Sequence, residues 1–516
     1  MEPIRHADGY PGFLTTRIDK GRFLWHKVFR PKHFLPDKEA AFMTTECNQN
    51  SFAFHPLGAR EVVARFDGGT ITSDAGALLL RETEQATGIL RRFADCFTDH
   101  RDPDLIEHTV AELITQRVYG LCLGYEDLND HDALRHDPLL AVAVGKVDPT
   151  GENRSRQRDK GKALAGKSTL NRLELTPVRA NPDSRYKKIT VDRPGVQNLF
   201  VDLFVQSQST PPQRIELDLD ATDDPLHGHQ AGRFFHGYYD GYCYLPLYIF
   251  CGDDLLCAKL RPSNIDASAG SLKELQRIVE RLRQRWPDVA VFVRGDSGFC
   301  REPIMAWCEQ NHVDYVFGLA KNERLLAEIG AELAQAQRQW QQTGQAARVF
   351  KDFTYQTLDS WSRARRVIAK AEHLNKGSNP RFVVTSVSAP VTDARTMYED
   401  VYCARGDMEN RIKEQQLCLF ADRTSCATMR ANELRLWFSS AAYVLMTALQ
   451  KLGLQGTELA CAQCDSIRLK LLKIGAQIKV TVRKVWISLA ESYPYRLIFE
   501  RVYENLVRWA SIPLRC

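Results

Sequence analysis

The sequence predicts an α/β protein, a mixed-sheet core carrying a β-rich insertion and flanked by helical N- and C-terminal regions. Three observations predict it. Between residues 214 and 320, short alternating or wholly apolar runs interleave with an amphipathic helical segment. Between 321 and 380, a polar helical stretch leads into two strand-like runs. Outside these limits, apolar residues recur mainly at helical spacing.

Residues 1–42 show little periodicity and several Pro and basic residues, and Met43 opens a new run, so the region 1–45 reads as a disordered leader or a misplaced start. From Asp74 to Lys146 the pattern is helical, with Ile106, Val110, Leu113, Ile114 and Val118 on one stripe. A polar, basic connector follows at 151–162, then a short helical segment over Ser168–Glu174, giving a mainly helical region 46–212. Arg214–Asp220 alternates as a strand. The run 242–251 also alternates, with a proline that suits an edge or a bulge, and 254–260 reads as a third strand. The segment 271–286 is amphipathic, with Leu272, Leu275, Ile278, Val279 and Leu282 inward. Val289–Asp296 is apolar enough for a buried strand, and a helix near 301–312 and a strand over 314–320 complete the first part of the core, 213–320. The insertion, 321–380, comprises one helix over Asn322–Trp340 and a strand pair. Residues 381–387 return to the first sheet, 397–454 are helical, and the core's second part is 381–455. The C-terminal region, 456–516, alternates from 478 and ends in an amphipathic helix over 495–510.

Bulk properties exclude several classes. A length of 516 residues suggests about two to four domains. Of these residues 44% are hydrophobic and 26% charged, which fits a globular chain with a large core. The net charge of +5 is too weak to imply nucleic acid by itself. The 14 cysteines follow no small-domain framework and read as reduced thiols; Cys461 and Cys464 form one CxxC with no second pair at zinc-site spacing. Arg435, Gln450 and Lys451 interrupt the most apolar stretch, 434–454, which reads as a core helix and not a membrane span. The segment 161–168, GKALAGKS, matches a phosphate-loop pattern, but the polar residues before it cannot supply the strand that such a loop requires. Lys160, Lys162 and Lys167 read instead as a solvated basic segment able to touch phosphates.

Three acidic segments carry the chemistry. Glu216, Asp218 and Asp220 share one strand face, opposite Ile215, Leu217 and Leu219, and their mutual repulsion calls for a cation. The competing reading is a solvated edge strand. Asp296 ends an apolar run and opens a Ser-Gly turn, where functional acids collect; a turn-capping aspartate is the alternative. Tyr402, Arg405 and Glu409 stand at i, i+3 and i+7, on one helix face that Lys413 and Gln416 continue. Alone, Arg405 and Glu409 could be a surface ion pair. Two-metal phosphoryl transfer needs three or four converging carboxylates and hard-cation ligands, which this ordered set supplies.

The set resembles the DDE transposases of bacterial insertion sequences, in the branch with a helical Tyr-x2-Arg-x3-Glu signature, and within it the insertion-sequence family thirteen-eighty. The stretches that carry the resemblance are 72–82, 220–228, 294–299, Tyr402/Arg405/Glu409 with 409–414, and 421–437. It implies a ribonuclease-H-like core in which Asp220, Asp296 and Glu409 are the catalytic, metal-holding acids, with Asp218 the alternative on the first strand. It implies Mg2+, with Mn2+ able to substitute. Tyr402, Arg405 and Lys413 would contact DNA phosphate, since Gln416 stands where the family usually has lysine. Trp361, beside Arg363, Arg365 and Arg366, either stacks on an unpaired base or lies in the core with a basic rim. The implied partners are double-stranded DNA, as terminal inverted repeats bound by the 73–146 helices and as target, and a second copy of the chain through the 431–510 helices. The implied location is the bacterial cytoplasm, at the nucleoid. A nuclease of the same fold without strand transfer, and an inactive DNA-binding relic, are the alternatives.

Overall fold

The computed structural model describes residues 51–510; the expected leader and the last six residues lie outside the described residues. The chain forms two compact units that divide between Asp67 and Gly68. In the first, Ser51–Leu57 pairs antiparallel with Arg60–Arg65, and Phe52 meets Phe66 edge-on.

The second unit is built on a nine-stranded mixed sheet. Its order is Asp254–Lys259, Leu247–Cys251, Arg214–Ala221, Ala290–Gly295, Val313–Leu319, Arg381–Thr385, Arg365–Leu374 and Ala347–Tyr355, with Gly377–Ser378 beside Arg365–Leu374. The three central strands from 214, 290 and 313 are parallel and the other pairings antiparallel. The 214–221 strand is therefore interior, which overturns the solvated-edge alternative. Pro246 does not sit at an edge of the main sheet. It splits the alternating run into Gly241–Tyr244, in a small separate sheet, and Leu247–Cys251, flanked on both sides. Proline has no N–H to give a ladder, so the chain leaves one sheet and enters the other there. The insertion's strand pair does not fold apart: Arg365–Leu374 pairs with Arg381–Thr385 and so extends the main sheet. Its helix is two helices, Glu323–Glu328 and Gly330–Thr343, broken at Ile329.

Helices cover both faces. Ser271–Arg285 turns Leu275, Ile278, Val279 and Leu282 onto the sheet, where they share a core with Ile215, Leu217, Leu219 and Val293. On the other side Met429–Gly453, capped by Thr428, is buried along most of its length. Its Trp437 Nε1 donates to the Ala258 carbonyl at 2.9 Å. Among the described residues no helix is long and apolar enough to cross a membrane. The N-terminal helices pack on the same long helix. Val110–Cys122 starts one turn later than the apolar stripe suggests, because Thr109 and Glu112 form a reciprocal cap that leaves Ile106 outside. Leu113, Ile114 and Val118 join the core of Met429–Gly453. At the C-terminal end, Ala476–Val480 and Val485–Leu489 form a hairpin and Arg496–Ala510 a helix.

Candidate active site

The acids on the 214–221 strand are sorted by their counter-ions. Arg294 lies opposite Asp218 on the parallel neighbour. Its guanidinium donates to both Asp218 oxygens, at 2.5 and 2.8 Å, reaches Glu216 at 3.0 Å and donates to the Val401 carbonyl at 3.1 Å. The cation that the crowded strand face calls for is thus, for two of its acids, an arginine. Asp218 is buried and its oxygens are engaged, so it is poorly placed to serve a metal.

Asp220 stands apart from Arg294. Its Oδ1 accepts the Ala221 N–H at 2.9 Å and its Oδ2 lies 3.8 Å from Arg405 Nη1. Burial pushes its carboxyl up to about 6; Arg405 opposes the shift, and the negative charges of Asp296 and Glu409 add to it. The register that sets Arg294 against Asp218 and Gly295 against Leu219, carried one residue on, sets Asp296 beside Asp220 at the ends of adjacent parallel strands. Asp296 also caps its turn, with Oδ1 accepting the Gly298 N–H at 2.8 Å.

The third element is an irregular helix. A π-helical segment Met397–Tyr402, a 3-10 turn Cys403–Arg405, the α-helix Gly406–Lys413 and a second π segment Glu414–Cys418 follow one another. Such interruptions gather at functional sites because they re-aim side chains within a continuous helix. Arg405 Nη2 lies 3.6 Å from Glu409, so the surface ion pair that the spacing allows is present. The same guanidinium also reaches Asp220, and so stands between two of the three acids. Tyr402 extends over the 313–319 strand. A methyl group on Gly318 would lie 2.6 Å from the Tyr402 hydroxyl and 2.9 Å from the Ser297 nitrogen, so only glycine leaves the phenol its place beside Asp296.

The fit to a divalent cation can be tested on this geometry. Among the described residues no group of three or more His, Cys, Asp or Glu side chains stands at metal-binding spacing. The donors are nevertheless hard carboxylate oxygens, as Mg2+ requires. They share one electrostatic environment, and a guanidinium already screens two of them. The set offers the donor chemistry of such an ion and, as it stands, not the spacing.

Of the remaining predicted residues, Lys413 is exposed beyond Glu409 on the same helix. Gln416 is engaged inward: its amide donates to the Asp223 carbonyl and to Asp224 Oδ1, each at 3.0 Å. Asp224 is fully buried and burial pushes its carboxyl up to about 8, with the Gln416 bond opposing. Trp361 is only 6% exposed, edge-on to Tyr355, with the Arg365 guanidinium over its ring. The structure takes the core alternative, because the ring seals the end of the strand pair. Arg365 pairs with Glu302 and Glu309, Arg366 with Asp352, and Arg363 with Glu309. Lys167, in the phosphate-loop-like segment, donates to Asn129 and pairs with Asp132, and a 3-10 turn, Gln157–Asp159, precedes that segment where a strand would be needed. Sequence reasoning missed Arg294 as counter-ion, Gly318 as the seat of Tyr402, and the aromatic segment 234–244. The last had a visible signal in its density of rings.

A family model described as Transposase DDE domain group 1 matches residues 54–511. No curated protein matches the chain. Among solved structures, a piggyBac transposase synaptic complex with hairpin DNA is similar at 13% sequence identity and a TM-score of 0.36, over 86% of this chain and 87% of that one.

Proposed function

Because the chain belongs to the family described as Transposase DDE domain group 1, we propose that it is a metal-dependent DNA transposase of an insertion sequence, with Asp220, Asp296 and Glu409 as its catalytic acids. It binds the terminal inverted repeats, cleaves at the ends and transfers the 3′-hydroxyl strand to target DNA. The observation that carries the assignment is the Arg405 guanidinium, reaching both Asp220 and Glu409 while Asp296 lies in register beside Asp220. Two strand ends and one helix thereby set three acids in one electrostatic neighbourhood, which supports the reading. The central parallel strands with antiparallel flanks suit a ribonuclease-H-like core, and the Tyr402/Arg405/Glu409 helix suits the Tyr-Arg-Glu branch and the family thirteen-eighty.

Bound Mg2+, or Mn2+ in its stead, supplies Lewis acidity and a lowered pKa for an attacking water or 3′-hydroxyl. The protein's part is positional. Asp220, Asp296 and Glu409 would hold the ions, from two strand ends and a helix. Arg405 and the Tyr402 hydroxyl grip the phosphate beside the scissile bond by charge and hydrogen bonding. Lys413, exposed one helical turn beyond Glu409, contacts the next phosphate as a point charge. The N-terminal helices bind the repeats, and the C-terminal region brings two copies together on paired ends.

The test is cleavage of DNA spanning the ends of the chain's own element. Wild type is expected to cut with Mg2+ or Mn2+ and to join the 3′ end to a target. Asp220→Asn, Asp296→Asn and Glu409→Gln are expected to lose nearly all cutting. Cleavage that survives chelation, or that survives Glu409→Gln, overturns the assignment. Cutting without joining reduces it to a nuclease.

A further inference from the structure

Soon after Asp220 the chain enters an aromatic hairpin. Phe234–His236 pairs antiparallel with Gly241–Tyr244, setting Phe235 opposite Tyr242. These two rings meet edge-to-face at 5.8 Å, and the Arg233 guanidinium lies 4.6 Å from the centre of the Tyr242 ring. Phe235 is 55% exposed, Tyr242 48% and Tyr238, at the turn, 86%. So many rings left in water are a cost to the monomer, and such a patch marks a binding surface.

The hairpin is firmly mounted, and its mounting uses other residues. The buried Tyr244 donates its hydroxyl to the Ala231 carbonyl at 2.6 Å. The Ala231 N–H donates to the Ala427 carbonyl at 2.9 Å and Gln230 Nε2 to that of Thr424 at 3.1 Å. These tie the hairpin's base to the segment that follows the Glu409 helix. At its tip, the Tyr239 hydroxyl donates at 3.3 Å to the carbonyl of Ala221, the residue after Asp220. The platform is therefore anchored to both the strand of Asp220 and the chain beyond Glu409, while Phe235, Tyr238 and Tyr242 remain uncovered.

We infer that the face formed by Arg233, Phe235, Tyr238 and Tyr242 is a stacking platform for unpaired nucleobases of the DNA end held at the carboxylates. The inference rests on the transposase reading. Exposed π faces with a guanidinium over one of them match the flat, polarisable faces of bases freed from a duplex, and such stacking tolerates any sequence. Its place beside Asp220 puts it where cleavage releases single-stranded ends. It takes the role that the buried Trp361 cannot.

The test uses metal-free, full-length protein, so that no cutting intervenes, with labelled duplexes of one sequence ending either blunt or in a short thymidine overhang. Wild type is expected to prefer the overhang. Phe235→Ala, Tyr238→Ala and Tyr242→Ala are each expected to weaken overhang binding by about five- to tenfold and to leave blunt binding unchanged. Tyr238→Phe keeps the preference. A 2-aminopurine at the first unpaired position is quenched by wild type and not by Tyr238→Ala. Unchanged thermal midpoints establish that the variants fold. Wild type that binds neither duplex overturns the transposase reading itself. Wild type that binds both alike overturns the platform alone, as do alanine variants that keep the preference. Variants that lose self-association in sedimentation while keeping overhang affinity also overturn it, and assign the face to a second copy of the chain.

Discussion

Asp220→Asn is expected to make the metal-free protein more stable and the metal-loaded protein relatively less so. In the folded chain burial pushes the Asp220 carboxyl from 3.8 up to about 6, with Asp296 and Glu409 adding to the shift and Arg405 opposing it. A shift of about two units corresponds to about 3 kcal/mol at about 1.36 kcal/mol per unit. The sign follows from linkage. The folded state holds its proton more tightly than the unfolded chain, so folding loses stability as pH rises from about 4 through about 6, and the full cost persists above that. Asparagine has no proton to lose. By urea unfolding in a chelator, the variant should exceed wild type by up to about 3 kcal/mol at pH 8, and the gap should close as pH falls through 6 toward 4. Saturating Mn2+ should stabilise wild type, by about 2.7 kcal/mol at a hundredfold excess over Kd, and should barely move the variant. A metal-free Asp220→Asn that is less stable than wild type at pH 8 would refute the reasoning. It would mean that Arg405 outweighs burial and that Asp220 is a structural ion-pair partner.

Asp218→Asn should leave Mn2+ affinity per folded molecule unchanged and lower stability in urea unfolding by about 1–3 kcal/mol, since the buried Arg294 loses two charge-assisted bonds and keeps Glu216 as its remaining carboxylate partner. Gly318→Ala should displace the Tyr402 hydroxyl, 2.6 Å from the added methyl, and lower kcat for end cleavage; the further change Tyr402→Phe should recover part of the stability and not kcat, because the methyl still meets the Ser297 nitrogen at 2.9 Å. Gln416→Leu should lower stability in urea unfolding by about 1–3 kcal/mol, because it leaves the Asp223 carbonyl and the buried Asp224 Oδ1 without their amide donor.

Periodicity along the chain is a local signal, and it placed several elements while missing breaks such as those at Ile329 and over 420–428. The 214–221 and 290–295 strands, the amphipathic Ser271–Arg285 helix and the buried Met429–Gly453 helix follow from apolar spacing alone. The face of Glu216, Asp218 and Asp220 followed from the two-residue repeat of a strand. Which acid was already neutralised did not, because Arg294 comes from 76 residues away through strand register. The joining of the insertion's strand pair to the main sheet is likewise a long-range pairing, invisible to spacing. The seat of Tyr402 escaped for another reason. A glycine in an apolar run reads as a weak strand position, and only the crossing helix shows why a side chain is excluded there. The π segments on either side of the Glu409 helix break the even turn that spacing assumes. Trp361 was ambiguous in principle, since a tryptophan among arginines satisfies both burial and base stacking; three glutamate–arginine pairs resolve it toward the core.

The two arginines at the site differ in a way that bears on their work. Arg294 meets Asp218 through two short parallel bonds, its side chain is 8% exposed, and a backbone carbonyl fixes a third nitrogen. Removing it would strand a buried charge, so it is a permanent counter-ion that keeps two acids quiet. Arg405 meets Asp220 and Glu409 at 3.8 and 3.6 Å, beyond the length of a good hydrogen bond, and Glu409 is half exposed. The contact with the exposed Glu409 is worth about 1 kcal/mol or less. The guanidinium screens both carboxylates without the short paired bonds that Arg294 makes. On the proposed reading, Asp220 and Glu409 would hold cations together with Asp296, and the fork of Arg405, which matches a phosphate, would be available to the DNA strand.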